Sequence, residues 1–205
     1  MKRKTIVIES KEDYTKFIKR IILYKSILYI NTEFQVKGCQ VNDRIQQIIK
    51  GLNIKNRCKR ITYVYDTACN IIDSNTKGLN ICGFKNNKCY IQQKQNNGKC
   101  NGCCRLCKYQ TSNGCPTKNL ACKLFNCSEV KKRYKTIEYK DLAILKLLSL
   151  KNRLIVKSDY FSTREEVLKD LYAYTLTYSI LRIFFRSIRN LISKTKNSNQ
   201  DSINT

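Results

Sequence analysis

Cysteine is concentrated in one part of this 205-residue chain, and that part has few aliphatic side chains from which to build a core. Nine of the twelve cysteines lie there: Cys82, Cys89, Cys100, Cys103, Cys104, Cys107, Cys115, Cys122 and Cys127. An isolated cysteine is usually a small buried hydrophobe, but this segment offers too little apolar surface to bury nine thiols or to offset its ordering entropy. We therefore predict that residues 76–130 form a metal-binding segment.

The run CNGCCRLC contains two C-x2-C units back to back. Cys100 and Cys103 form the first unit, and Cys104 and Cys107 form the second. Two intervening residues allow both thiolates of a unit to face one ion. Eight thiolates complete two closed four-cysteine sites, so all nine cysteines are candidate ligands with one left over. Structural Zn²⁺ is the favoured cofactor.

The charge around these cysteines is compatible with anionic metal centres. Residues 82–135 hold twelve Lys and Arg side chains and one acidic side chain, Glu129, a balance of +11. Nearby cations favour the thiolate form of cysteine. Codon bias is the simpler explanation for most of these lysines, because Lys, Asn and Ile, all with AT-rich codons, make up 72 of the 205 residues.

An iron–sulfur cluster is the alternative cofactor, because thiolates alone suit both metals. The bacterial ferredoxin spacing is not met, since residue 106 is leucine. A C-x3-C-x2-C spacing, as in radical S-adenosylmethionine enzymes, does run through Cys100, Cys104 and Cys107. However, the 98 residues after Cys107 are too few for the barrel of those enzymes. Disulfides or reactive thiols remain as a further alternative.

The motifs CNGCCR and CKLFNC, with Cys115 between them, resemble the zinc- or iron-chelating cysteine-cluster family over residues 100–127. The resemblance implies that five of the cysteines chelate metal: Cys100, Cys103, Cys104, Cys115 and Cys122. The chain departs from the family by carrying Cys107 and by having PTKNLAC where the family has Arg-Pro before the later cysteine. The resemblance implies metal binding and no particular reaction.

Residues 1–75 are predicted to form a small α/β unit. Its predicted elements are, in order, a strand at 4–8, a helix from a Ser10–Asp13 capping box, a strand within 26–34, a helix from Asp43 to Gly51 and a strand at 60–66. Asp66 and Cys69 follow the last strand, and sites in α/β folds gather at such strand ends. They are the best candidates if the protein is a thiol enzyme. Otherwise we expect Cys39, Cys58 and Cys69 to be buried hydrophobes.

Residues 131–194 are predicted to be mostly helical, which makes the fold class α+β. Residues 137–157 begin as a helix and become strand-like at 153–157. A single long helix then covers 158–194, beginning at a capping box of Ser162 and Glu165. The polar tail, residues 195–205, is predicted to be disordered.

The predicted long helix has a basic face and an apolar face. Arg182, Arg186 and Arg189 share the first. The second is formed by Leu181, Phe184, Phe185, Ile188 and Ile192. The favoured interpretation is a helix that packs on the core with a solvated basic edge. The alternative is an amphipathic helix on an anionic membrane or a partner protein.

Charge and missing residue types narrow the function. The net charge of +25 favours a nucleic acid or an acidic protein as partner. Histidine is absent, which excludes Ser-His-Asp catalysis and HExxH zinc hydrolysis. The apolar run TIVI is too short for a signal peptide, and no 18-residue apolar stretch exists to span a membrane. We therefore expect a cytoplasmic, non-enzymatic metal-binding protein; the alternative is an iron–sulfur or reactive-thiol redox enzyme or sensor.

Overall fold

A computed structural model describes residues 2–76, 79–83, 118–173 and 180–186, with the single residues Lys85, Tyr90, Gln93, Thr177 and Ile188. The described residues are mostly helical and include one small parallel sheet, which confirms the α+β class in its coarse form. The chain divides into two compact units, Met1–Asn70 with Tyr139–Arg153, and Ile71–Glu138 with Leu154–Thr205. The division predicted from sequence, at 1–75, 76–130, 131–194 and 195–205, remains a prediction.

The sheet of the first unit pairs two strands around a crossover helix. Strand β1, Lys2–Val7, runs parallel to β2, Thr32–Lys37, and helix α1, Lys11–Tyr24, connects them. The predicted capping box is confirmed. The Asp13 N–H donates to the Ser10 hydroxyl at 3.1 Å, and the Asp13 carboxylate accepts from the Ser10 N–H at 3.2 Å. The second strand begins later than predicted, because Ile27–Tyr29 forms a 3₁₀ turn.

Helix α2, Asp43–Asn53, differs from its prediction at both ends. Asn42, not Asp43, is the N-cap, and its side-chain oxygen accepts the Ile45 N–H at 3.1 Å. Gly51 lies inside the helix and does not end it. A Cβ there would lie 2.5 Å from Leu147 Cδ1, so the glycine permits close packing of the helix against the Leu147 side chain.

The predicted strand at residues 60–66 is wrong, because these residues belong to helix α3, Arg57–Thr76. The run RITYVYD is rich in β-branched and aromatic residues, as strands are. Over a longer window, however, the buried positions recur at helical spacing: Ile61, Val64, Tyr65, Ala68, Cys69 and Ile72. The pattern of burial along all twenty residues of α3 determines the structure. The seven residues 60–66 alone suggest a strand.

The second half of the chain also contains shorter helices than predicted. Their bounds are α4, Leu120–Leu124; α5, Ser128–Arg133; α6, Leu150–Ser158; and α7, Arg164–Tyr172. The strand-like interpretation of residues 153–157 is wrong, since they lie in α6, and 3₁₀ turns at Tyr139–Asp141 and Ala143–Leu147 precede that helix. Leu120, Ala121 and Val130 are buried, so the last part of the cysteine-rich segment does contribute to an apolar core.

The predicted single helix over 158–194 is wrong in its start and its continuity. Thr163 and Glu166 form the capping box of α7, one residue beyond the predicted Ser162 and Glu165. The Ser162 hydroxyl instead donates to the Asp159 carboxylate. Helix α7 ends at an extended Ala173, with ψ of 144°, and residues 180–186 are helical again.

Candidate metal centre

Three of the nine predicted ligands lie in the described part of the chain. Cys82, Cys122 and Cys127 are all half-buried. The other six lie outside the described residues: Cys89, Cys100, Cys103, Cys104, Cys107 and Cys115. Within the described residues, no group of three or more potential metal-ligating side chains comes together. The pairing of thiols around an ion therefore remains a prediction.

Cys122 occupies a position that is suited to a metal-bound thiolate. It lies in the short helix α4, and its sulfur accepts a hydrogen bond from the backbone N–H of Phe161 at 3.3 Å. Hydrogen bonds to sulfur of this kind stabilise and tune metal–thiolate centres. Cys122 is thus a half-buried residue with a backbone amide donor to its sulfur, and its role as a metal ligand remains a prediction.

The buried side chain of Asn119 determines where Cys122 lies. Its oxygen accepts the Cys122 N–H at 2.8 Å and so caps α4. Its amide nitrogen donates to the backbone carbonyls of Asp159, at 2.7 Å, and Ser162, at 3.0 Å. One residue thereby joins the cysteine-bearing helix to the loop that precedes α7.

This loop holds Phe161 in the left-handed region, with φ of +63°. Such a backbone is unfavourable for a bulky residue and persists only where surrounding contacts fix it. The bonds from Asn119 to the carbonyls of Asp159 and Ser162 hold the chain on both sides of Phe161. The strained conformation directs the Phe161 N–H towards the Cys122 sulfur.

The turn that carries Cys82 contacts the helix that follows Cys127, at that helix's far end. Cys127 is the N-cap of α5, yet its side chain makes no capping hydrogen bond. Cys82 lies in a turn, and its carbonyl accepts the Tyr90 N–H at 2.9 Å. The Tyr90 ring stacks against the Arg133 guanidinium at the end of α5, 4.2 Å from ring centre to Cζ. The ring therefore connects the turn that carries Cys82 to the helix that begins after Cys127.

A buried ionic cluster includes Asp159 of the loop that precedes α7. The sequence analysis did not predict this cluster. Asp159 and Asp170 are 1% and 0% exposed. Arg186 pairs with Asp170 and lies 3.6 Å from Asp159, and Arg182 lies 3.3 Å from Asp170. Burial raises the pKa of Asp159 to about 6, although the Ser162 hydroxyl and Arg186 act in the opposite direction.

The expected solvated basic edge is therefore wrong for Arg182 and Arg186, which point to buried carboxylates, while Arg189 lies outside the described residues. A signal was present in the sequence. Asp170 falls between the buried Leu168 and Leu171 of α7, where an unpaired charge would be costly. Such a position calls for a cation elsewhere in the chain.

The thiol-enzyme candidates lose their structural basis. Asp66 and Cys69 lie within helix α3 and not at the end of a strand. Cys69 is fully buried, which confirms the expectation that it is a buried hydrophobe. Cys39 and Cys58 are exposed, so the expectation of burial is wrong for both.

We expect iodoacetamide to modify Cys58 at least about tenfold faster than Cys69 in the folded protein, because a fully buried thiol reacts only after opening. Peptide mass spectrometry of samples quenched at successive times measures both rates. In concentrated urea the two rates should become similar. Equal rates in the native protein would contradict the burial of Cys69.

Among the described residues, no helix is both long enough and apolar enough to cross a bilayer. No family model, curated protein or solved structure matches the chain. The resemblance of residues 100–127 to the cysteine-cluster family therefore remains a prediction.

Proposed function

We propose that the protein binds metal through its cysteine-rich segment, with structural zinc as the favoured ion. The observation that carries the proposal is at Cys122, a half-buried residue whose sulfur accepts the Phe161 N–H at 3.3 Å. Eight further cysteines lie between residues 82 and 127, and zinc is commonly closed by four thiolates. In this proposal the ion stabilises the segment and performs no chemistry.

The same proposal assigns a binding role to the basic surface. The net charge of +25 favours a nucleic acid or an acidic protein as the partner. An iron–sulfur or reactive-thiol redox protein is the alternative function. Cys69 is no longer a candidate thiol for that alternative, because it is fully buried.

We expect anaerobically purified, reduced protein to contain about two zinc ions per chain, since nine thiols allow two sets of four. Mass spectrometry of the metal content measures this, and a visible absorption spectrum identifies an iron–sulfur cluster instead. Chelation should expose residues 82–127 to proteases, because metal binding and folding are coupled in such segments.

Single substitutions distinguish ligands from other thiols. Cys122→Ser should reduce the zinc content, while Cys39→Ser and Cys58→Ser, at exposed cysteines outside the segment, should leave it unchanged. Metal-free protein that resists proteases across residues 82–127 would overturn the proposal.

A further inference from the structure

The helical residues near the C-terminus expose their apolar side chains to solvent. Ile180, Leu181, Phe184 and Phe185 are 53%, 50%, 58% and 61% exposed, and Ile188 is 36% exposed. Their spacing places all five on one side of a helix. We call this set the outer apolar face.

The two arginines of the same segment fix this orientation. The Arg186 side chain is 12% exposed and pairs with the fully buried Asp170. Arg182 lies 3.3 Å from the same carboxylate. If the helix rotated to bury Phe184 and Phe185, the buried Asp170 carboxylate would lose both arginines, which is strongly unfavourable. The polar side therefore faces inward and the apolar side faces outward.

The charge of the chain selects among possible occupants of the outer apolar face. A second copy would bring the same net charge of +25, so repulsion opposes self-association through this face. A nucleic acid has the complementary charge but meets proteins mainly through phosphates and sugars. An anionic bilayer supplies both an apolar layer and negative headgroups.

We infer that the outer apolar face inserts into the boundary between the headgroups and acyl chains of an anionic membrane. Phe184 and Phe185 supply the largest apolar surfaces, and their rings touch edge to face with centres 5.9 Å apart. The basic surface of the protein attracts the lipid headgroups. In this mode the helix that carries the outer apolar face lies parallel to the membrane surface. The attachment does not depend on whether the cysteines bind metal.

The test is sedimentation of the full chain with vesicles of phosphatidylcholine that contain about 30% phosphatidylserine. The wild-type protein should pellet with these vesicles and far less with pure phosphatidylcholine. Phe184→Ser with Phe185→Ser should weaken binding at least about tenfold, because two exposed rings no longer enter the bilayer. Both side chains are exposed, so circular dichroism should be unchanged.

Leu28→Ser with Ile30→Ser is the matched control, because these side chains are 76% and 62% exposed and lie in another part of the chain. This control should bind vesicles as the wild type does. Equal loss in both double variants, or equal binding to neutral vesicles, would overturn the inference. So would a wild-type chain that ignores vesicles and instead forms a dimer or binds RNA through the two phenylalanines.

Discussion

Replacing Arg186 with methionine is expected to lower the free energy of unfolding by about 3–5 kcal/mol, as breaking a buried ion pair does elsewhere. Methionine retains much of the side-chain volume but leaves Asp170 and Asp159, 0% and 1% exposed, without their shared cation. Urea unfolding followed by circular dichroism measures the change. Because the guanidinium is almost enclosed, salt should screen little of this effect.

Arg3→Met is the matched control for this substitution. Arg3 also pairs with a carboxylate, Glu33 at 3.4 Å, but its side chain is 74% exposed. Exposed pairs of this kind contribute about 0–1 kcal/mol. If the two variants lose equal stability, the ionic cluster around Arg186 does not have the energetic role that its burial indicates.

The pH dependence of the stability lost in Arg186→Met tests whether the lost charge is the cause. Burial raises the pKa of Asp159 to about 6, above the value of roughly 4 for an unfolded aspartate. The folded state therefore holds this proton more tightly, so its contribution to stability is complete below about pH 4 and is lost as the pH rises through about 6. Removing Arg186, whose charge lowers the pKa of Asp159, should raise that pKa further. The deficit of Arg186→Met should thus shrink as the pH falls towards 5.

Local signals were sufficient for the capping box of α1 and insufficient for residues 60–66. Ser10 and Asp13 are three residues apart, so their reciprocal capping bonds follow from the sequence itself. The structure of residues 60–66 depends on burial that extends to Ile72, and a short window therefore indicated the wrong element. The β-strand propensity of a few residues is outweighed by the packing of a long helix.

The candidate site follows the same division. Cysteine spacing identifies candidate ligands without any knowledge of the fold. Their surroundings come from residues far along the chain. Cys122 meets Phe161 at a separation of 39 positions, and Asn119 meets Asp159 and Ser162 at separations of 40 and 43. Arg186 likewise meets Asp170 across sixteen residues and an extended break at Ala173. No periodic pattern encodes such contacts. An acidic residue at a buried helix position, such as Asp170, indicates only that a cationic partner lies somewhere in the chain.

Asn119 makes two of these long-range contacts, and Asn119→Ala is expected to lower the free energy of unfolding by about 3 kcal/mol. The substitution removes the cap of α4, and it removes the donor from two backbone carbonyls, those of Asp159 and Ser162. Urea unfolding again measures the loss.

Asn42→Ala separates the two parts of this effect. Asn42 also caps a helix, with its oxygen accepting the Ile45 N–H at 3.1 Å, but it is exposed. Loss of that cap alone should cost about 1 kcal/mol. The difference between the two variants thus measures the bridge from α4 to the loop before α7. If Asn119→Ala were no more destabilising than Asn42→Ala, the two carbonyl bonds would contribute nothing to stability, and the left-handed backbone of Phe161 would need another support.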